Sequence, residues 1–159
     1  MKVMLSLLVC TVLLAGCSTV YESDEEKSLK VYSFSGENEY ISVSNGVIIL
    51  EDKDEICYGG DLKVISDDFA DITTYSTAIY ISGSEKEILL SNSVDDRTGG
   101  TIDVTGNIGK VSGDFLRDSH ADKLPDNLWF ELKTTNLNGE EMTYQVQLET
   151  TELTKEVKN

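Results

Sequence analysis

The carboxy-terminal third of the chain alternates apolar and polar positions with period two. Met142, Tyr144, Val146 and Leu148 interleave with Thr143, Gln145, Gln147 and Glu149. Such alternation turns one face of an extended chain to a core and the other to water. A partner precedes it: Leu128, Phe130 and Leu132 point one way, Trp129, Glu131 and Lys133 the other, and Asn138-Gly139 supplies a tight turn. The spacing predicts a hairpin here. A second hairpin is expected where Tyr40 to Ser44 and Val47 to Leu50 flank Asn45-Gly46, a pair suited to the positive φ angles of a type I′ turn.

Further strands are expected at Lys30 to Phe34, Asp61 to Ile65, Tyr75 to Ser82, Glu87 to Ser91, Thr101 to Thr105 and Ile108 to Ser112, about ten in all. Turn signals recur at Ser35-Gly36, Gly59-Gly60, Ser82-Gly83, Gly99-Gly100, Gly106 and Gly113, and no stretch keeps helical periodicity over several turns. This pattern predicts an all-β fold over residues 29–159, a single antiparallel β-sandwich, immunoglobulin-like in general form. Asp114 to Asn127, with His120 and the only proline, Pro125, is the longest irregular stretch.

The first residues follow another rule. A positive Lys2 precedes an apolar run from Val3 to Leu14, broken only by Ser6 and Thr11, and the run ends in Ala15-Gly16-Cys17. It is shorter than the roughly 18 apolar residues that span a bilayer, and so reads as a secretory signal over residues 1–16 that is cleaved. Leu14-Ala15-Gly16-Cys17 resembles the lipobox of bacterial lipoproteins, and the chain as a whole is similar to their small members. The resemblance implies a diacylglyceryl and fatty-acyl (palmitate-type) anchor on Cys17, at the extracytoplasmic face of the cell membrane, or at the outer membrane in a two-membrane envelope. It implies no activity.

Residues 17–28 then form an acidic tether with Glu22, Asp24, Glu25 and Glu26. As a flexible coil it reaches about 18 Å on average. Two acyl chains exceed the single chain that gives only marginal membrane binding.

Charge narrows the partners. The chain carries 13 Lys and Arg against 29 Asp and Glu, a net charge of -16, and loss of Lys2 with the signal leaves the mature chain one unit more negative. That balance opposes nucleic acid, whose binding rests on Lys and Arg at phosphates. It equally opposes docking on acidic headgroups. Of three cysteines, Cys10 leaves with the signal and Cys17 is lipidated, so Cys57 remains without an internal disulfide partner.

Catalytic chemistry finds little support. Nucleophilic catalysis needs a nucleophile beside a base, and the only histidine offers Cys57 with His120, or a serine with His120. Zinc asks for three or four Cys and His ligands. Acids cluster at Glu51 to Glu55, at Asp67-Asp68 with Asp71, and at Asp95-Asp96, where oxygens could converge on calcium, though none follows an EF-hand spacing. Trp129 stands out among the aromatics because alternation sets it opposite Leu128, Phe130 and Leu132. The expectation is a lipid-anchored, non-enzymatic module without cofactor or metal, binding a protein or envelope component near Trp129 and His120. A calcium-responsive surface domain is the alternative, and a hydrolase using His120 the third reading.

Overall fold

The computed structural model describes residues 29–51, 54–116 and 123–154. Cys17 and His120 lie outside them. The strands are β1 (Leu29–Glu37), β2 (Ile41–Glu51), β3 (Asp54–Tyr58), β4 (Asp61–Val64), β5 (Ile72–Ile81), β6 (Glu87–Asp95), β7 (Gly106–Asn107), β8 (Lys110–Gly113), β9 (Leu128–Asn136), β10 (Glu141–Gln147) and β11 (Glu149–Glu152). A single helical turn, α1 (Leu124–Asn127), precedes β9, with Pro125 in its first turn, where a missing N–H costs nothing.

All the pairing is antiparallel. The larger sheet has seven strands with the central path β11-β1-β2-β3-β8, and β4 and β7 extend it beside β2; the smaller sheet has four in the order β10-β9-β5-β6. The sheets pack as a sandwich, as the alternation predicts. Ile41, Val43, Ile48, Cys57 and Leu62 from one sheet meet Ile79, Ile81, Leu90, Phe130, Leu132 and Val146 from the other in a single core. Each such buried side chain contributes about 1.5–3 kcal/mol relative to exposure.

The carboxy-terminal hairpin forms as expected, with Val146 opposite Phe130 and Tyr144 opposite Leu132. Its connection is a type I turn closed by Gly139 N–H donating to Asn136 O at 2.9 Å, followed by Gly139 itself at φ 78. Asn136 Oδ1 accepts from the amides of Asn138 and Glu140 and completes the loop.

The second expected hairpin does not exist. Ile41 to Glu51 is one continuous strand through Asn45-Gly46, paired with β1 along almost its whole length. On its other side β3 pairs with Val47 to Glu51 and β4 with Ile41 to Ser44, so β2 has ladder partners on this flank immediately before and after Asn45-Gly46. Asn45, at φ 59, absorbs an irregularity instead of reversing the chain. Gly46 lies flat under the Phe34 ring, where a Cβ would come within 2.0 Å of the ring edge.

The same line continues across the sheet. Register slips on β1 between Phe34 and Gly36. Gly59-Gly60 separates the collinear β3 and β4, and Ile108-Gly109 separates β7 from β8. The bonds Gly59 N–H to Gly109 O (2.9 Å) and Ile108 N–H to Gly60 O (3.0 Å) carry the ladder through the break. Gly60, at φ 78 and within reach of Ser44 O, holds a positive φ at this crossing, as do Asn45 at φ 59 and Gly109 at φ 114. The seven-stranded sheet is thus creased along a row of glycines, several of which the sequence marks as turns.

Thr101 to Thr105 is not a strand; Asp103 Oδ1 accepts from the Thr105 amide in a local turn, Ile102 N–H donates to Ile72 O, and Thr105 Oγ1 accepts from the Val64 amide of β4. The strand expected at Ile108 to Ser112 starts at Lys110. β11 was not foreseen: Leu148, buried in the core, carries the chain from one sheet to the other, and Glu149 to Glu152 then pair with β1.

Candidate interaction surface

A sandwich has two outer faces, and here they differ in chemistry. On the four-stranded sheet the outward positions form rows across the strands. Tyr80 on β5 stands opposite Ile88, Trp129 and, through β9, Gln147; Ala78 stands opposite Ser91 and Glu131, with Gln145 beyond; Ser76 stands opposite Ser93 and Lys133. Trp129 is therefore on the outward face of β9, half-buried, as the alternation predicts.

Glu131 organises this face. Its carboxylate receives Lys86 Nζ at 2.9 Å, Lys133 Nζ at 3.5 Å and Gln145 Nε2 at 2.7 Å. Burial acts to raise its pKa, but the hydrogen bonds from Lys86 and Gln145 and the two lysine charges outweigh it and leave the group below the usual carboxylate value. Lys86 Nζ also sits 3.9 Å from the centroid of the Tyr80 ring. Its methylenes and charge together cover the ring, and burial, followed by the nearby Glu131 charge, raises the Tyr80 hydroxyl pKa. The result is a polar layer held by its own contacts.

The outer face of the seven-stranded sheet is the opposite case. Val31, Ile49 and Ile56 stand side by side on β1, β2 and β3, with Val47 and Tyr58 in the next row. Alternation puts them outside: their strand neighbours Tyr32, Ile48 and Cys57 are buried, whereas these residues are half-buried or, for Tyr58, exposed, and they do not join the core cluster. Leu153, whose N–H donates to Val31 O at 2.7 Å, extends the apolar row and is 59% exposed. The run Val47-Ile48-Ile49-Leu50 is apolar on both faces, a composition usual for strands covered on both sides.

The remaining candidates separate on inspection. Cys57 is wholly inside the core, and burial pushes its thiol up to about 12, far from a reactive thiolate. Among the described residues, no three His, Cys, Asp or Glu side chains converge on a point that could hold a metal ion. The acids of the clusters have other work. Asp96 accepts from the Thr98 hydroxyl and amide and from the Gly100 amide, bonds that lower its pKa and tie the β6 exit turn.

Glu55, one of the acids of the Glu51 to Glu55 cluster, is buried, and its Oε2 accepts from the amides of Phe115 (2.8 Å) and Leu116 (2.6 Å). With Leu116 and Leu124 both in the core, this fixes the two ends of the stretch that contains His120. A cleft of about 480 Å³ opens between the β5–β6 turn, Phe115 and Lys123.

The apolar outer row escaped sequence reading because alternation ranks a strand by its buried face. The signal was available in the unbroken run Val47 to Leu50. Comparison of the chain with protein-family models, with curated proteins and with solved structures finds no match.

Proposed function

We propose that this chain is the precursor of a lipoprotein, and that its β-sandwich is a non-enzymatic binding module held at the extracytoplasmic membrane surface by lipid on Cys17. The carrying observation is the order along the chain: an apolar segment ending in Leu14-Ala15-Gly16-Cys17, an acidic stretch, and a first strand that begins at Leu29. The Trp129 face of the four-stranded sheet supports the binding part of the reading. Its lysines, glutamate and glutamine already hold one another, so a protein or envelope component meeting Trp129 there orders few side chains on arrival.

Metabolic labelling with a fatty acid tests the anchor. The parent chain should carry label and sediment with membranes, and Cys17→Ala should do neither; a labelled Cys17→Ala chain overturns the reading. For the binding part, cross-linking in intact cells followed by recovery of neighbours should give a specific adduct that Trp129→Ala reduces several-fold. Recovery that is unchanged in Trp129→Ala removes this face.

A further inference from the structure

The Asn-Gly pairs at 45–46 and 138–139 have no role in the proposal above, yet each joins an electrophile to a nucleophile. The side-chain carbonyl carbon of an asparagine can be attacked by the backbone nitrogen of the next residue, closing a five-membered ring. A glycine there leaves the nitrogen unshielded and its backbone free to turn. We propose that Asn138 is a site of spontaneous deamidation and isomerisation in the folded protein, and that the sheet around Asn45 withholds the same chemistry from it.

The Gly139 nitrogen forms a bond to Cγ of Asn138 and gives its proton to solvent base. The bond from Cγ to the side-chain nitrogen breaks, and that nitrogen leaves as ammonia. Water then opens the resulting succinimide at one of its two carbonyls. Opening at the side-chain carbonyl restores the normal main chain with aspartate at 138, and opening at the main-chain carbonyl gives isoaspartate. Water is the only co-reactant, and nothing is oxidised or reduced.

Ring closure needs Cβ and the glycine nitrogen nearly eclipsed about the asparagine Cα–C bond, with the nitrogen brought to roughly 3–3.5 Å from Cγ before it reacts. What resists that rotation differs between the two sites. Asn138 and Gly139 are both exposed, nothing lies within 4 Å of a Cβ built on Gly139, and the Asn138 side-chain amide has no hydrogen-bond partner among the described residues. Gly139 N–H donates to Asn136 O and Asn138 N–H to Asn136 Oδ1, both at 2.9 Å and both within one loop. A local opening of that loop frees the nucleophile without unpairing a strand.

Asn45 lacks this freedom. At φ 59 it lies in the left-handed region, where ψ of about +30 to +60° turns Cβ away from the following nitrogen. Rotation would swing Val47 to Glu51 relative to Ile41 to Ser44 and break pairing with β1, β3 and β4. Gly46 is buried, a Cβ on Gly60 would stand 2.7 Å from its nitrogen, and Asn45 Nδ2 donates to Asp61 Oδ2 at 2.9 Å. The sheet must open before Asn45 can react. Conversion at 138 therefore marks the age of the folded molecule, and conversion at 45 marks its unfolding. The mark at 138 is a new carboxylate beside Glu140 and Glu141, and isoaspartate also lengthens the main chain of the hairpin loop by one carbon.

Incubation of the purified full chain at mildly alkaline pH, followed by digestion and mass-spectrometric mapping, tests the proposal. Aspartate and isoaspartate should accumulate at 138 several times faster than at 45, and the rate at 138 should rise with pH. In concentrated denaturant the two rates should converge. Asn136→Ala, which removes the acceptor of the Asn138 and Glu140 amides, should raise the rate at 138 several-fold and leave that at 45 unchanged. Equal rates at the two sites in the folded chain, or an Asn138 that stays intact while the denatured chain converts, overturn it. An equal rise at both sites in Asn136→Ala overturns the local opening on which it rests.

Discussion

The chain contains the dipeptide Asn-Gly twice, at Asn45-Gly46 and at Asn138-Gly139, each between two apolar-alternating runs, and the two copies do opposite things. At 138–139 the chain reverses. At 45–46 it goes straight on. The difference lies in what surrounds each pair. The Asn138-Gly139 loop closes on itself through the backbone and side chain of Asn136, and Leu137 N–H ties it to Asp71 O just before β5. Around Asn45-Gly46 the flanking strands already occupy both edges of β2, and the Phe34 ring covers Gly46. An intrinsic preference for turning, worth about 1 kcal/mol, yields to ladder pairing immediately before and after the dipeptide and to a buried aromatic ring.

The contrast can be broken most forcefully at Gly46. Gly46→Ala puts a methyl group into the Phe34 ring and should cost about 3 kcal/mol. Thermal unfolding should show a drop on the order of 10 °C. Combining it with Phe34→Leu should cost less than the sum of the two single changes, which a double-mutant cycle measures. Gly139→Ala meets open space but must hold φ 78, and should cost roughly 1–2 kcal/mol with no rescue by any neighbour.

Asn136→Ala removes the acceptor of two loop amides and should cost about 1 kcal/mol in chemical denaturation. Asn45→Gly should be the mildest. It relieves the φ 59 strain while losing an exposed hydrogen bond to Asp61, and should leave stability within about 0.5 kcal/mol of the parent. A large loss at Asn45 would mean that its side chain, not the flanking strands, keeps β2 straight.

The two sites also show what a sequence reveals about this fold. The hairpin of β9 and β10 was legible because its alternation, turn residues and register all come from adjacent segments. The crease was not, because Gly36, Gly46, Gly59-Gly60 and Gly109 have meaning only once distant strands are side by side. A glycine that ends a strand and a glycine that bends one look alike until the neighbours are known. Trp129 was correctly turned outward by period two, since one strand suffices to decide that. Glu55 was misread because its partners, the amides of Phe115 and Leu116, lie some 60 residues away. The apolar outer row was missed for the same reason: Leu153, Val31, Ile49 and Ile56 become a surface only through pairing.

The union of β1 with β11 bears on the order in which the domain can be completed. Val31 donates its amide to Thr154 Oγ1, 123 positions later, and this edge of β1 finds its other partners in Glu149 to Leu153. The first strand to emerge from the ribosome therefore waits for the last, and closing so distant a contact is slow. A sheet whose β1–β11 seam joins strands so far apart in sequence stays open along that edge until β11 is in place.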